Sequence, residues 1–302
     1  GRGDAGEVRR RLLAVTFLIV SHLVEEGVAT MEDVDLGARV GLRWRRGPFA
    51  MANEAGVAEA ASLAEGLARR WRLRPPALQA RRVREGGGGP FRFRNVRTAR
   101  REGVATILLD RPDALNALDP DLLTQIEEAW EEAASDPSLR GIVLAGRGKA
   151  FLAGADVRWF VRMLEKGDRA GVLDFTARGH RLLDRIDRAG RGVVCRLDGL
   201  ALGGGAEVAL ACDRIVATER AAIGFPETGI GIVPGLGGTQ RLPRRVGVGM
   251  AKYLILSGRI LDARTAAAIG WVDRVVPFEA LEGAADDAAA EGAGAGEDVL
   301  EL

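Results

Sequence analysis

The sequence predicts an α/β domain preceded by a smaller all-α unit, and three observations predict it. Charge divides unevenly along the 302 residues: positions 1–101 hold 20 basic and 11 acidic side chains, positions 102–302 hold 23 and 31. A change of sign of that kind marks two units of different composition. Before it, apolar residues recur at helical spacing. Beyond it, short β-rich runs alternate with helical ones, the pattern of strands joined by crossover helices.

In order, residues 7–30 read as one helix, with Leu12, Leu13, Phe17, Val20 and Val24 along one face and Gly27 as its stop. Met31 to Val40 reads as a second, short helix, and Gly47-Pro48 as a break. Alanine-rich helix runs from about Val57 to Trp71 and ends before Pro75-Pro76. Residues 1–78 are therefore expected to form the helical unit. Residues 79–93 carry Arg81, Arg82 and Arg84, then glycine from 86 to 89, and read as an Arg/Gly linker. The α/β domain is expected over 94–278. Its strand candidates are Val104 to Leu109, Gly141 to Ala145, Val193 to Leu197 and Arg214 to Ala217. Asp119-Pro120 is an N-cap and first-position pair opening a helix through Trp130, and Leu173 to Ala189 is another helix. Residues 279–302 are rich in Ala, Gly, Glu and Asp with few large apolar side chains, and read as a low-complexity tail, frayed or disordered.

Composition narrows the function classes. Apolar residues make up 47% and charged residues 28%, as in ordinary globular protein. The net charge of +1 argues against a uniformly basic nucleic-acid binder. With His22 and His180 the only histidines, and Cys195 and Cys212 outside any metal-ligand spacing, no metal site and no histidine-dependent triad are expected. Both cysteines lie in apolar runs and read as buried thiols in a reducing compartment, so the expected location is cytoplasmic. Arg9-Arg10-Arg11 and the apolar run after them imitate a signal peptide, but Glu25-Glu26 follow and the run is too short to span a bilayer. Gly1, Gly3 and Gly6 match a dinucleotide fingerprint by spacing without the strand that must precede it. The chain does not open on Met and is expected to be a piece of a longer protein.

Three segments carry the candidate chemistry. The first is Lys149-Ala-Phe-Leu-Ala-Gly-Ala-Asp156, directly after a strand. The second is Asp198-Gly-Leu-Ala-Leu-Gly-Gly-Gly-Ala-Glu207, a strand running through three glycines into an apolar helix. Glycines there let a ligand approach the backbone, and free N–H groups at a helix start can hold a negative oxygen. A Gly-rich turn with Glu207 merely in the first helical turn fits the same residues. The third is Phe225-Pro-Glu227 and the glycine-rich run to Arg241, which puts a carboxylate in an apolar loop, either buried with a partner or used. Two backbone donors from the first two segments, converging on one oxygen, would make an oxyanion hole.

Together these segments, with Arg111-Pro-Asp-Ala-Leu-Asn-Ala-Leu118 and the pattern from Gly258 to Val276, resemble the crotonase, or enoyl-CoA hydratase/isomerase, family from about Arg94 to Pro277. The resemblance implies a spiral of ββα turns, assembled as a homotrimer or hexamer. It implies an acyl-CoA thioester substrate, with coenzyme A part of that substrate and no separate cofactor. It places the oxyanion hole at the backbone N–H groups of Ala155 and Gly204, and the catalytic carboxylates at Glu207 and Glu227. Ala153, Gly154, Asp156, Gly203 and Lys149 are carried over as substrate- or CoA-binding, Lys149 being equally a solvated loop lysine. Having both carboxylates favours hydration of a trans-2-enoyl-CoA to the 3-hydroxyacyl-CoA, as in fatty-acid β-oxidation. Trp159, Phe160 and Met163 hint at a short or medium acyl chain, with core packing an equal account of them.

Two departures stand out. Arg196 replaces a small apolar residue in the strand before the triple glycine, and needs an acidic partner or local exposure. The family normally continues past the position of Pro277 with helices that cover the CoA site, where this chain has its Ala/Gly/Glu stretch. Ahead of the α/β domain, Leu23-Val-Glu-Glu-Gly-Val-Ala29, Glu32-Asp-Val-Asp35 and Arg46-Gly-Pro-Phe49 with Asn53 and Gly56 resemble half of the C-terminal helical domain of 3-hydroxyacyl-CoA dehydrogenases. That resemblance implies a fused, multifunctional enzyme of β-oxidation type, with no NAD site in these residues. The alternatives are an enoyl-CoA isomerase of the same family, a truncated non-catalytic acyl-CoA-binding fragment, and an RNA-associated protein using Arg69 to Arg101. Clustered arginines are more often a solvated surface, so neither nucleic acid nor membrane is expected as a partner.

Overall fold

The structure, a computed structural model, describes residues 5–84 and 89–292. The chain divides into two compact units, up to Arg94 and from Asn95 onward. Each has its own apolar core.

Among the described residues the first unit has five helices: α1 (Ala5–Glu25), α2 (Met31–Gly41), α3 (Pro48–Ala55), α4 (Val57–Trp71) and α5 (Leu78–Arg84). The one helix expected over 7–30 stops at Glu25, and Gly27 takes φ +69°, where glycine is unstrained. Of the face expected on α1, Phe17 and Val20 are buried, whereas Leu12 is exposed. A capping box joins Thr30 and Asp33 at the start of α2. The Gly47-Pro48 break is itself a helix start. Asp35 accepts hydrogen bonds from Phe49 N (2.7 Å) and Ala50 N (2.9 Å), capping α3 from 14 residues away. A Cβ on residue 47 would collide with the Asp35 side chain, which is why glycine stands there.

The stretch read as a linker is not one throughout. Its first part is α5, and Phe91 is buried against Phe17 and Phe49 at ring-centroid distances of 5.8 and 5.0 Å. Asn53 fixes it further: Nδ2 donates to Phe91 O (2.9 Å) and Phe91 N donates back to Oδ1 (2.6 Å). The glycines at 86–88 lie outside the described residues.

The second unit opens with β1 (Val96–Arg101), β2 (Val104–Leu109) and α6 (Pro120–Ala134), the last capped by Asp119 as expected. Then come β3 (Gly141–Gly146), β4 (Ala150–Ala153), α7 (Val157–Glu165) and α8 (Arg169–Asp187). The same sequence of elements recurs in β5 (Gly192–Leu197), β6 (Leu200–Leu202) and α9 (Gly204–Ala211). β7 (Arg214–Thr218) and β8 (Ala222–Gly224) follow, with a 3-10 turn over Pro226–Ile230 and helices α10 (Gly238–Val246) and α11 (Val248–Ser257). The unit closes with β9 (Ile260–Asp262), α12 (Ala263–Ala268), β10 (Arg274–Val276) and α13 (Leu281–Ala290). From β3 to β8 the strands alternate between two sheets: β3, β5 and β7 enter a six-stranded sheet, β1-β2-β3-β5-β7-β10, and β4, β6 and β8 a four-stranded one, β4-β6-β8-β9. That is a spiral of ββα turns. Among the described residues only β1 with β2 and β8 with β9 pair antiparallel.

Alternation within the large sheet separates two faces. Ile142, Leu144, Val193, Cys195 and Ile215 enter the main core with Trp130 and Trp271. Val143, Val194 and Val216 face the other way, onto Leu281, Ala285, Ala288 and Ala289 of α13. The stretch expected to be a frayed tail from residue 279 is therefore, as far as 290, a helix that covers this face; residues 293–302 lie outside the described part. Glycines on the sheet are what let it in: a Cβ on Gly141 of β3 or Gly192 of β5 would run into the backbone of Ala289. Arg196 points to the same face, half-buried, and Asp286 of α13 is the carboxylate whose charge it meets. The two thiols are buried, and burial pushes both well above the usual cysteine range. Among the described residues no helix is long and apolar enough to cross a membrane, and no cluster of three or more His, Cys, Asp or Glu could hold a metal ion.

Candidate active site

Three neighbouring strands of the small sheet, β4, β6 and β8, run parallel, with Ala153 opposite Leu202 and Leu202 opposite Gly224. Their carboxyl ends therefore open at one place, where α/β folds commonly bind ligands. β4 leads into Gly154-Ala155, β6 into Gly203-Gly204, and β8 into Phe225 and the turn that carries Glu227.

Ala155 forms an isolated parallel bridge with Leu118, made by Asp156 N to Leu118 O (2.8 Å) and Leu118 N to Gly154 O (2.8 Å). Those bonds use the groups on either side of Ala155, so its own N–H points away from Leu118. Gly204 is the first residue of α9, where amides have no partner within the helix. The Cβ position of Gly204 lies 3.9 Å from Ala155 N, so the two backbones face each other closely. A Cβ on Gly205 would overlap the Leu152 carbonyl oxygen, so the glycine lets α9 settle directly on β4.

Glu207, in the same helix, is 1% exposed. Its Oε1 accepts from Leu236 N (2.6 Å) and Gly238 N (2.8 Å). Burial pushes its pKa up to about 7, with the neighbouring Glu227 adding to the rise; the two amides and Arg241 act the other way. Glu227 is half-buried, its pKa raised by burial, and no donor among the described residues reaches its buried Oε2. The Glu227 carboxylate lies against Gly203: a Cβ there would sit 2.8 Å from Oε1. Gly203, at φ +51° and ψ −120°, holds a backbone shape that suits glycine. The arrangement is a pair of carboxylates beside two loops whose backbones approach closely, with Phe225, in the loop after β8, stacked on Trp271 at 5.4 Å. It can move protons while holding a negative oxygen.

The structure brings together Ala153, Gly154, Ala155, Gly203, Gly204, Glu207 and Glu227. Asp156 adjoins them but is engaged elsewhere. It caps α7 by accepting from Arg158 N (3.1 Å) and pairs with Arg111 (3.4 Å). Burial raises its pKa, yet Arg111 and Arg158 outweigh that and hold it below the usual value. Lys149 is not brought in: it is exposed at the opposite end of β4 from Ala155. Trp159, Phe160 and Phe175 pack together at 4.8 to 5.5 Å behind Asp156, partly against the core.

Sequence reading missed the amides of Leu236 and Gly238, because backbone donors leave no signature of residue type. It also missed what Asn116 does. That residue is fully buried at φ +55°; its Nδ2 donates to Ala150 O (2.8 Å) and Phe151 O (3.1 Å), and its Oδ1 accepts from Arg111 N (2.8 Å). An asparagine amid small apolar residues was the available sign, since asparagine tolerates the left-handed region.

Comparison with known proteins agrees with this fold. The profile of the enoyl-CoA hydratase/isomerase family matches residues 99–301, and that of the 3-hydroxyacyl-CoA dehydrogenase C-terminal domain matches residues 6–89. Crotonyl-CoA hydratase of Syntrophomonas wolfei is 38% identical over 190 residues, 63% of this chain and 72% of that protein. Short-chain-enoyl-CoA hydratase of Clostridium acetobutylicum is 40% identical over 184 residues, 60% of this chain and 69% of that one. The crystal structure of an enoyl-CoA hydratase from Bacillus anthracis superposes with a TM-score of 0.62 at 35% identity, covering 66% of this chain and 76% of that one. From Ala99 onward, then, the spiral of ββα turns matches a known lineage, and the chain belongs to the enoyl-CoA hydratase/isomerase family.

Proposed function

We propose that the chain is an enoyl-CoA hydratase that adds water across a trans-2-enoyl-CoA to give the 3-hydroxyacyl-CoA. The observation that supports the reading is that Glu207 and Glu227 neighbour each other at one end of three parallel strands, where the backbones of Ala155 and Gly204 also approach closely. The thioester oxygen takes the N–H groups of Ala155 and Gly204. Glu207 accepts a proton from water as its oxygen bonds to C3, and negative charge passes through C2 to the thioester oxygen. Glu227 delivers a proton to C2; the proton taken up by Glu207 is then exchanged through solvent back to Glu227, so that the net addition is one water. Glu207 suits the base because burial pushes its pKa up to about 7, where it can both hold and release a proton near neutrality, while two amides fix its Oε1. Glu227 suits the acid because burial without a donor on Oε2 favours its protonated form. Each oxyanion donor is worth about 3–4 kcal/mol of transition-state stabilisation.

Gly154 and Ala153 shape the donor loop and Gly203 admits the Glu227 carboxylate. Lys149 and Asp156 contribute at most to the CoA portion, Asp156 chiefly by holding α7. The substrate is a short acyl chain, in keeping with the names of the relatives above, and no cofactor beyond its own CoA is needed. Assembly is as a homotrimer or hexamer, supported by exposed Ile232, Val233, Tyr253 and Leu256 on the second unit, and the two free buried thiols suit a reducing compartment such as the cytoplasm. The test is loss of enoyl absorbance from crotonyl-CoA. The chain should hydrate it, and Glu207→Gln and Glu227→Gln should each lower kcat at least about 100-fold. A folded chain that binds CoA but leaves crotonyl-CoA unchanged, as inert as both variants, would sink the reading.

A further inference from the structure

The loop that supplies the two amides to Glu207 is itself held from behind. Leu236 O accepts from Arg241 Nη1 (3.2 Å), and the same guanidinium reaches Asp184 through Nη2 (3.0 Å) and Asp187 through Nε (3.3 Å), both on α8. The Arg241 side chain is only 13% exposed, while the two aspartates are 59% and 53% exposed. Gly237 sits at φ +103°, and a Cβ there would collide with Arg241 Nη1, so the turn closes on the guanidinium only as glycine. Its carbonyl accepts from Gln240 N and Arg241 N, both at 2.9 Å, starting α10 at the residue whose N–H binds Glu207. The turn 236–238 is thus clamped between a carboxylate on one side and a guanidinium and a helix start on the other.

We propose that Arg241 is a positioning residue for hydration: it holds the Leu236–Gly238 turn against Glu207, keeping that carboxylate charged and aimed at water. The proposal rests on the reading of Glu207 as the base. The charged groups around Glu207 are few. Glu227 comes from the turn after β8, Arg241 from α10, and Asp184 and Asp187 of α8 stand behind the guanidinium. β4 and β6 carry no titratable side chain. On α8, Arg178 is bound to Glu127, Arg185 to Glu131, and His180 is exposed. Arg214 of β7 pairs with Glu291. Arg241 is the cation that acts on Glu207, and it acts through the peptide groups it clamps as well as by its charge. A lysine cannot replace the planar fork that reaches three acceptors at once.

The experiment is the pH dependence of kcat/KM for crotonyl-CoA hydration in the parent, Arg241→Gln and Arg241→Lys, with circular dichroism and melting to establish folding. Arg241→Gln should move the acid limb upward by about half a pH unit or more, so that its deficit is about threefold larger below the limb than above it. Arg241→Lys should move it part of the way. A residue that merely braces the fold would lower the rate equally at every pH. An acid limb at the parent's position in either folded variant overturns the proposal. Difference infrared of the Glu207 carboxyl, with Glu207→Gln as the blank, reads the same displacement without turnover. A parent inert toward crotonyl-CoA whose Glu207 titration still shifts on removing Arg241 would sink the hydratase reading and leave the clamp standing.

Discussion

Glu207 and Glu227 carry the same functional group in different surroundings, and the pH behaviour of the protein follows from that difference. With Glu207 pushed up to about 7, its base form is lost as pH falls through neutrality, so kcat/KM should decline below about pH 7 and not at the usual carboxylate range near 4. Stability runs with the opposite sign. A carboxyl whose folded pKa is raised favours the fold fully below its unfolded pKa of about 4.5, and that contribution is lost as pH rises through about 7. Glu207→Gln should therefore melt higher than the parent at pH 8, by about 1–3 kcal/mol, with no gain at pH 4 while activity collapses. Melting curves at the two pH values check this; equal stability at pH 8 would mean the carboxylate is solvated. Both glutamates were legible in the sequence, because a carboxylate amid glycine and apolar residues is chemically conspicuous. What tunes them was not: the donors to Glu207 are backbone atoms of Leu236 and Gly238, and any residue type supplies those. Arg111 and Asp156 belonged to recognisable motifs, yet only the structure gives them to each other.

At the scale of elements, length decided what could be read. β2, β3, β5 and β7 are runs of five or six residues with strong apolar patterning, and each is found where the sequence predicts it. β6, β8, β9 and β10 are three residues each, too short for any alternation to register, yet they frame the site or close the sheets. β1 was hidden differently: VRTARR has one buried residue and five exposed, so nothing in it alternates. α13 misled because a helix normally declares itself by large apolar side chains, whereas this one buries alanines on a valine face. The same economy of side chains operates where α9 meets β4. Gly205→Ala would put a methyl group into the Leu152 carbonyl and force helix and strand apart. The expected cost is about 1–3 kcal/mol of stability. The larger effect should be on rate, since Gly204 and Ala155 would no longer converge; a shift of that size costs about 100-fold. Comparing kcat with melting temperature separates the two, and a variant with full kcat would mean that the donors do not depend on this contact.

For the whole molecule, the two family matches divide at the same stretch as the two cores, and each core is complete in its own residues. Phe17, Phe49 and Phe91 anchor the first core, with Phe49 wholly buried. No residue of that core belongs to the site at the ends of β4, β6 and β8. A defect in one unit should therefore be felt there first. Phe49→Ala removes a buried ring and should cost the helical unit about 3–5 kcal/mol, much or all of what a domain that small possesses. Hydration of crotonyl-CoA should survive at 25 °C, because the spiral keeps its own core of Trp130, Phe151, Phe225 and Trp271. Measured together, kcat should stay within about twofold of the parent while an early melting transition appears or helical signal is lost. Loss of hydration in step with that signal would mean that the spiral depends on the helical unit to fold, and that the fused pieces act as one cooperative body.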